Sequence, residues 1–139
     1  MRWLWIQLFA ILIVITSTAY GVEEQLQVEI NSAYTHLNQL RKSAGLLSFT
    51  PNRQLESSAG NHALYLSSSD IVGHLQVPGS GSFTGERPGD RAVYAGYSSL
   101  TVTENFSVGQ KNIRQSINNL MSAIYHRFAF LDVSKNQLG

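Results

Sequence analysis

The chain has 139 residues, a formal net charge of +1 from ten basic and nine acidic residues, and no cysteine. This length is enough for one domain and too short for two. The absence of cysteine excludes disulfides, cysteine-based zinc sites and thiol nucleophiles. Lys and Arg form no cluster, so we expect no nucleic-acid partner.

The N-terminal segment carries the localisation signal. Arg2 precedes an apolar run, and the small residues Ala19 and Gly21 fit a signal-peptidase site. We therefore predict a signal peptide over 1–21 and a mature domain over 22–139. Without Arg2, the mature domain has nine basic and nine acidic residues and a net charge of zero. We expect a secreted, periplasmic or cell-surface protein.

An uncleaved membrane anchor is the alternative for this segment. Residues 3–21 number 19, and at about 1.5 Å each they just cross a hydrocarbon core of about 30 Å. In that case the domain would still lie outside the cytoplasm. The membrane would be contacted only through this N-terminal segment.

Two amphipathic helices are predicted in the first half of the mature chain. Between residues 23 and 44, apolar side chains recur at steps of three and four, and Gly45 follows as a stop signal. A second stripe with the same spacing runs from Leu55 to Leu66. Each stripe predicts a helix with one face toward a core.

The second half reads as loop, short helical turn, strand and helix. Residues 77–90 are rich in proline and glycine and predict a loop. Residues 91–97 predict a brief helical turn. Apolar residues alternate with threonine over 100–104, which predicts a β-strand. An apolar stripe over 111–127 predicts one long helix.

Five polar residues are candidates for a site. Glu104 and Asn105 follow the predicted strand, His126 and Arg127 end the last helix, and His74 lies between the helical segments. A carboxylate and two imidazoles at one place could coordinate a divalent cation, perform acid–base chemistry, or only stabilise a small domain. The sequence predicts a site here and leaves these three roles open.

The order of these motifs resembles the bacterial, cysteine-free branch of the CAP superfamily (cysteine-rich secretory, venom-antigen and pathogenesis-related proteins, with an SCP-like domain). The matching residues span about 37–132. They are Asn38-x-x-Arg41 with Gly45-Leu46, Leu55-x-x-x-Ala59-x-x-His62-Ala63, Gly73-His74, Asp90-Arg91-Ala92, Gly96-Tyr97, Glu104-Asn105, His126-Arg127 and Leu131-Asp132.

The resemblance implies an α+β fold, an α-β-α sandwich with helices on both faces of a small sheet. It also implies a surface cavity lined by His74, Glu104 and His126, with Asn105 and Arg127 as further ligand-binding residues. Two histidines and one carboxylate match an open zinc set with water in the fourth position, so His74, Glu104 and His126 are candidate ligands of zinc or another divalent cation. The helix after Glu104 has no acidic residue, so the second cavity glutamate of the eukaryotic pattern is missing.

The resemblance further implies closing strands beyond Leu131-Asp132, and the chain reaches Gly139 where they would begin. We therefore expect an incomplete sheet at the C-terminal side of a truncated domain. Unpaired strand edges and a small core predict that residues 22–139 are poorly stable.

Other polar residues are predicted to be structural. His62 lies near an apolar stripe and is interpreted as a core histidine, and His36 as a surface residue. Arg41 and the asparagine one turn before it are expected to bind backbone or a carboxylate. Arg91 and Arg127 are expected to pair with Asp90, Asp132 or Glu104.

Three functions are compatible with the sequence. We favour an extracytoplasmic interaction or small-ligand-binding module whose partner is a protein or small ligand at the cavity. The first alternative is a metal-dependent hydrolase acting on peptide or cell-wall material, with Glu104 or His126 as the base. The second is a structural domain without an active site. No serine stands in a recognisable nucleophile motif, so we assign no catalytic residue.

Overall fold

The computed structural model describes residues 3–139, with side chains from residue 21 onward. This part of the chain is helix-rich with one small sheet, which confirms the predicted α+β class. The helices are α1 Trp3–Ser43, α2 Arg53–Ser67, α3 Pro88–Tyr94, α4 Ile113–Ser122 and α5 Ile124–Leu131, and the strands are β1 Thr50–Pro51 and β2 Gln137–Leu138.

The predicted signal peptide or anchor falls on residues 1–21. The side chains of residues 1–20 lie outside the described part of the structure. Within the part that the structure does describe, no helix is long and apolar enough to cross a membrane. Export and cleavage stay predictions from the sequence.

The helix ends follow from their capping residues. Asn52 precedes α2 and its side chain accepts hydrogen bonds from the N–H groups of the first turn, and Asn112 caps α4 in the same way. At the end of α1, Gly45 has φ +76°. The following Leu46 N–H donates back to the Arg41 carbonyl, the pattern of a Schellman cap. The predicted stop at Gly45 is confirmed.

The prediction of one helix over 111–127 is wrong. Ala123 has an extended backbone (φ −90°, ψ 121°) and separates α4 from α5. The Arg127 side chain donates from Nε to the Met121 carbonyl at 2.6 Å, so a carbonyl freed at the break is satisfied. Apolar spacing continues through the break to Ile124, and periodicity alone therefore did not reveal it.

The prediction of a strand over 100–104 is also wrong. The sheet in the described residues is one parallel pair, with Thr50 opposite Gln137 and Pro51 opposite Leu138. A strand requires a partner, and the Val102 N–H instead bonds locally to the Leu100 carbonyl. The alternating sequence is present without a neighbouring strand to pair with it.

The main apolar core lies between α1 and α4. Leu37, Phe49 and Ile117 are at most 5% exposed and pack together, with Phe130 and Leu138 against them. Burying a side chain of this size contributes about 1.5–3 kcal/mol. On the other side of the molecule, α2 packs against α3. The fold thus has two helical layers, and this small apolar cluster belongs to the layer of α1 and α4.

His36 is buried, against the prediction of a surface position. The residue is only 8% exposed. Nδ1 accepts from Arg114 Nη1 at 2.9 Å, and Nε2 lies 2.7 Å from Asn118 Oδ1. Because α4 covers this face of α1, the histidine is enclosed and its ring joins the two helices.

Arg41 and Asn38 have the predicted structural role. Asn38 exchanges two hydrogen bonds with the backbone of Phe49. Arg41 is 1% exposed, and its guanidinium lies 3.7 Å from the centre of the Phe49 ring. It donates to the carbonyls of Leu47, Phe130, Asp132 and Lys135. One side chain therefore ties the end of α1 to the C-terminal segment.

Candidate functional site

Glu104 is the centre of a polar cluster that joins three parts of the chain. Its Oε2 accepts from Arg91 Nη2 at 2.6 Å, and its Oε1 accepts from His74 Nδ1 at 2.9 Å. The Nε2 atom of His62 lies 3.6 Å from the same Oε1. The carboxylate is 17% exposed, so its charge is partly desolvated and is balanced by the guanidinium.

Arg91 holds this carboxylate from α3. The residue is fully buried, and its Nη1 also donates to the carbonyls of His74 and Glu86. The helix lies close to the segment that carries Glu104, since a Cβ at Gly89 would overlap the Leu100 carbonyl. Only glycine fits at that position. The arginine therefore fixes the carboxylate and the His74 loop together.

His62, on α2, lies beneath Glu104 and is 3% exposed. Its Nε2 is 3.0 Å from the Gly73 carbonyl, and its Nδ1 is 3.2 Å from Gln76 Nε2. These partners require a proton on Nε2 and an accepting Nδ1. Burial lowers the pKa of His62, against the opposing effect of the Glu104 charge. His62, which was predicted to be a core histidine, is thus also part of the polar cluster around Glu104.

His74 lies above Glu104 and faces solvent. Its ring is 44% exposed and contacts the Phe106 ring edge-on, with centroids 4.7 Å apart. The bond to Glu104 uses Nδ1, so that nitrogen carries a proton. Within the described part of the chain, Nε2 makes no hydrogen bond. This nitrogen is therefore available to a ligand.

A cavity of about 460 Å³ opens beside this cluster. It brings together four of the five predicted site residues, from a loop, the Glu-Asn segment and α5. Aromatic and small apolar side chains, together with Thr103 and Asp132, complete the wall. The lining residues are His74, Pro88, Thr103, Glu104, Asn105, Tyr125, His126, Phe128, Ala129 and Asp132.

Asn105 and Arg127 have different positions relative to this cavity. Asn105 lines it, and its Nδ2 donates to the His126 carbonyl at 2.9 Å, which links the segment to α5. Arg127, predicted for the cavity wall, is not among the lining residues, because the next residue on a helix points about 100° away. Its side chain bonds to Met121 instead.

A metal site is not preformed here. Among the residues 21–139, no group of three His, Asp or Glu side chains is arranged to hold a metal ion. The predicted zinc set was His74, Glu104 and His126. Arg91 already occupies one Glu104 oxygen and His74 the other, so the carboxylate is committed to protein partners.

Two aromatic residues of the cavity were missed by the sequence reasoning. Tyr125 and Phe128 lie on the face of α5 that lines the cavity, and both are exposed. The spacing of Tyr125, Phe128, Ala129 and Asp132 is i, i+3, i+4, i+7, which indicates one face of a helical run. Gln76, buried against His62, had no comparable signal.

Comparison with known proteins shows the family. The model of the Cysteine-rich secretory protein family (CAP) matches residues 34–139, more than half of the chain. The chain therefore belongs to the CAP family, as its motifs predicted. No curated protein and no solved structure matches it.

Proposed function

We infer that this CAP domain is a small-ligand-binding module that acts outside the cytoplasm, with the His74–His126 cavity as its recognition surface. The observation that carries this is the cavity of about 460 Å³, in which two histidines, an asparagine and the carboxylates of Glu104 and Asp132 meet an aromatic wall. Ligand pockets have about 300–1,000 Å³ and combine an apolar lining with a few polar groups. The extracytoplasmic location rests on the N-terminal sequence.

The lining favours a ligand with a flat apolar part and a hydrogen-bonding head. Tyr125 and Phe128 provide aromatic surface for the flat apolar part of the ligand. The rings of His74 and His126 provide nitrogens for its hydrogen-bonding head. His74 is already oriented by Glu104 at 2.9 Å. A ligand therefore binds without the cost of fixing that ring, which favours affinity.

NMR of the histidine rings tests this function. Benzoate, 4-hydroxybenzyl alcohol and N-acetylphenylalanine are added to the full chain, and the ring nitrogens are followed. We expect at least one of these compounds to shift the signals of both His74 and His126. We expect His126→Ala to weaken that binding about tenfold, the equivalent of about 1.4 kcal/mol.

The matched control is Arg127→Ala, which changes the neighbouring residue on α5 without touching the cavity wall. Binding should be unaffected there. If none of the compounds moves either ring, or if both variants weaken binding equally, the cavity is not the recognition surface and a structural domain is the better account.

The hydrolase alternative requires His74, Glu104 and His126 to rearrange around a metal. Zinc added to the same sample would then shift both histidine rings and free Glu104 from Arg91. Absence of any zinc-dependent shift would remove this alternative.

A further inference from the structure

The cavity of the proposed function has carboxylates on its wall and no lysine or arginine. Of the described residues that line it, Glu104 and Asp132 are the acidic ones, and none is a lysine or an arginine. The charge of Glu104 is already balanced, because Arg91 Nη2 lies 2.6 Å from its Oε2. The carboxylate of Asp132 is therefore the charge that remains for a ligand.

Asp132, at the end of α5, is ionised and has one oxygen left for a ligand. Its Oδ1 accepts from the hydroxyl and the N–H of Ser134 at 2.7 and 2.8 Å, and these bonds lower the pKa of the carboxyl group. The nearby cations of Lys135 and Arg41 donate to backbone carbonyls, and neither residue lines the cavity. Among the described residues, Oδ2 of Asp132 has no hydrogen-bond partner.

Two further acceptors on the wall have no partner within residues 21–139. His74 donates to Glu104 from Nδ1, so its Nε2 is an acceptor. Asn105 donates to the His126 carbonyl from Nδ2, which leaves its Oδ1 as an acceptor. Three acceptors thus belong to one cavity, and a ligand head with several donors matches them. An ammonium group has three donors and no acceptor.

Two aromatic residues lie on the same helical face as Asp132. Phe128 precedes Asp132 by four residues and Tyr125 precedes Phe128 by three, spacings that bring side chains together on a helix. All three line the cavity. The face of an aromatic ring attracts a cation. A positive group therefore interacts favourably with both the rings and the carboxylate, whereas an anion is repelled by Asp132.

We propose that the ligand of this cavity is a primary amine with an aromatic ring. Its ammonium group donates to Asp132, His74 and Asn105. Its ring packs against Tyr125 and Phe128. The inference rests on the proposed function and specifies the chemistry of the ligand: the ring is the flat apolar part, and the ammonium is the hydrogen-bonding head.

Two compounds of the same shape test the charge of the head. 4-Hydroxybenzylamine and 4-hydroxybenzyl alcohol differ in an ammonium against a hydroxyl, and NMR of the histidine rings at about pH 8 gives the affinity of the full chain for each. The amine is protonated at this pH, as the amine of lysine is. We expect the amine to bind about tenfold more tightly than the alcohol, and 4-hydroxybenzoate to bind most weakly. Equal affinity for amine and alcohol, or a preference for the benzoate, overturns the proposal.

Asp132→Asn tests which group recognises the ammonium. The amide has nearly the same shape, and its oxygen can still accept from Ser134. We expect this variant to bind the amine about tenfold more weakly and the alcohol with unchanged affinity. The matched control is Asp70→Asn, which removes the same charge at an exposed residue that does not line the cavity.

An equal loss of amine affinity in the two variants, or no loss in Asp132→Asn, contradicts recognition by Asp132. If Asp132→Asn does not fold, the comparison of amine and alcohol on the unmodified chain decides.

The two proposals fail in different ways. If no compound, the amine included, shifts the rings of His74 and His126, the cavity is not a recognition surface and both proposals are wrong. If the alcohol binds and the amine binds no better, the cavity is a ligand site and the assignment to an amine is wrong.

Discussion

Two buried arginines hold opposite sides of this domain in different ways. Arg41 is 1% exposed and binds four backbone carbonyls, whereas Arg91 is fully buried and binds two carbonyls and the Glu104 carboxylate. Among the described residues, Arg41 has no carboxylate as a hydrogen-bond partner, and it connects chain segments. The second fixes a charged group at the edge of a cavity. The same residue type thus stabilises the fold in one layer and prepares a site in the other.

This difference depends on where each side chain comes from. Arg41 stands in the last turn of the long helix α1, next to a C-terminal segment with many free carbonyls. Arg91 stands on the short helix α3, beside a loop and the segment of Glu104. A guanidinium has five donors in a planar fork and can satisfy either environment.

The largest effect is expected from Arg41→Ala. Hydrogen bonds from a charged donor contribute about 1.5–3 kcal/mol each, and unsatisfied carbonyls add to the loss. We expect the free energy of unfolding to fall by about 3–5 kcal/mol in urea denaturation, and by a smaller amount in Arg41→Lys. The exposed neighbour is the control, since Lys42→Ala should change stability by less than about 0.5 kcal/mol. A loss below about 1 kcal/mol for Arg41→Ala would show that the carbonyls are satisfied without it.

A smaller loss of stability, with a specific change at the site, is expected from Arg91→Lys. An ammonium cannot reproduce the fork that joins Glu104 to the His74 loop, so we expect a loss of about 1–3 kcal/mol. The His74 ring signals should shift in this variant and remain in place in Arg41→Lys. If both variants shift the His74 ring equally, the two arginines do not have separate roles.

Asn105→Ala should lower the free energy of unfolding by less than the Arg41→Ala or Arg91→Lys substitution. The variant removes the 2.9 Å bond to the His126 carbonyl, a neutral and partly buried contact for which about 1 kcal/mol is typical. Thermal unfolding measures this, with Ser107→Ala on the same segment as the exposed control. An unchanged melting temperature in Asn105→Ala would mean that the segment is not held by α5.

The most subtle effect concerns pH. Burial lowers the pKa of His62 in the folded chain below the ordinary value of about 6.5. The unfolded chain then binds a proton that the folded chain does not, so stability falls as pH falls below about 6.5. The groups facing the ring are Glu104, which opposes this shift, and Arg91 and His74, which reinforce it. The slope of stability against pH between 6.5 and 5 should be smaller in His62→Gln. An identical slope would count against a neutral, buried His62.

Local sequence signals predicted much of this fold. The stop at Gly45 and the second helix come from capping and backbone preferences that neighbouring residues determine. The helical turn predicted over 91–97 exists as α3, but it begins earlier, at Pro88, inside the predicted loop. His74, Glu104, Asn105 and His126, which line one cavity, were grouped from their order along the chain, which resembles the CAP family. That family membership is shown by the match over residues 34–139.

The wrong predictions concern features that are determined by contacts between residues far apart in the sequence. The segment 100–104 has a strand pattern, but no strand of the described residues lies beside it, and pairing cannot be read from one segment. His36 was placed on the surface because nothing local shows that α4 covers it. The break at Ala123 lies inside a continuous apolar stripe. His62 was recognised as a core histidine, but its 3.6 Å approach to Glu104 depends on how α2 packs.

The protonation of the histidine ring nitrogens tests the central claim, that Glu104 is held by Arg91 and orients His74 toward the cavity. Long-range proton–nitrogen spectra of the full chain at about pH 8 report each ring nitrogen separately. The structure predicts a proton on Nδ1 of His74, which donates to Glu104, and none on Nδ1 of His62, which accepts from Gln76. An unprotonated Nδ1 on His74 would contradict the Glu104 contact, and with it this account of the site.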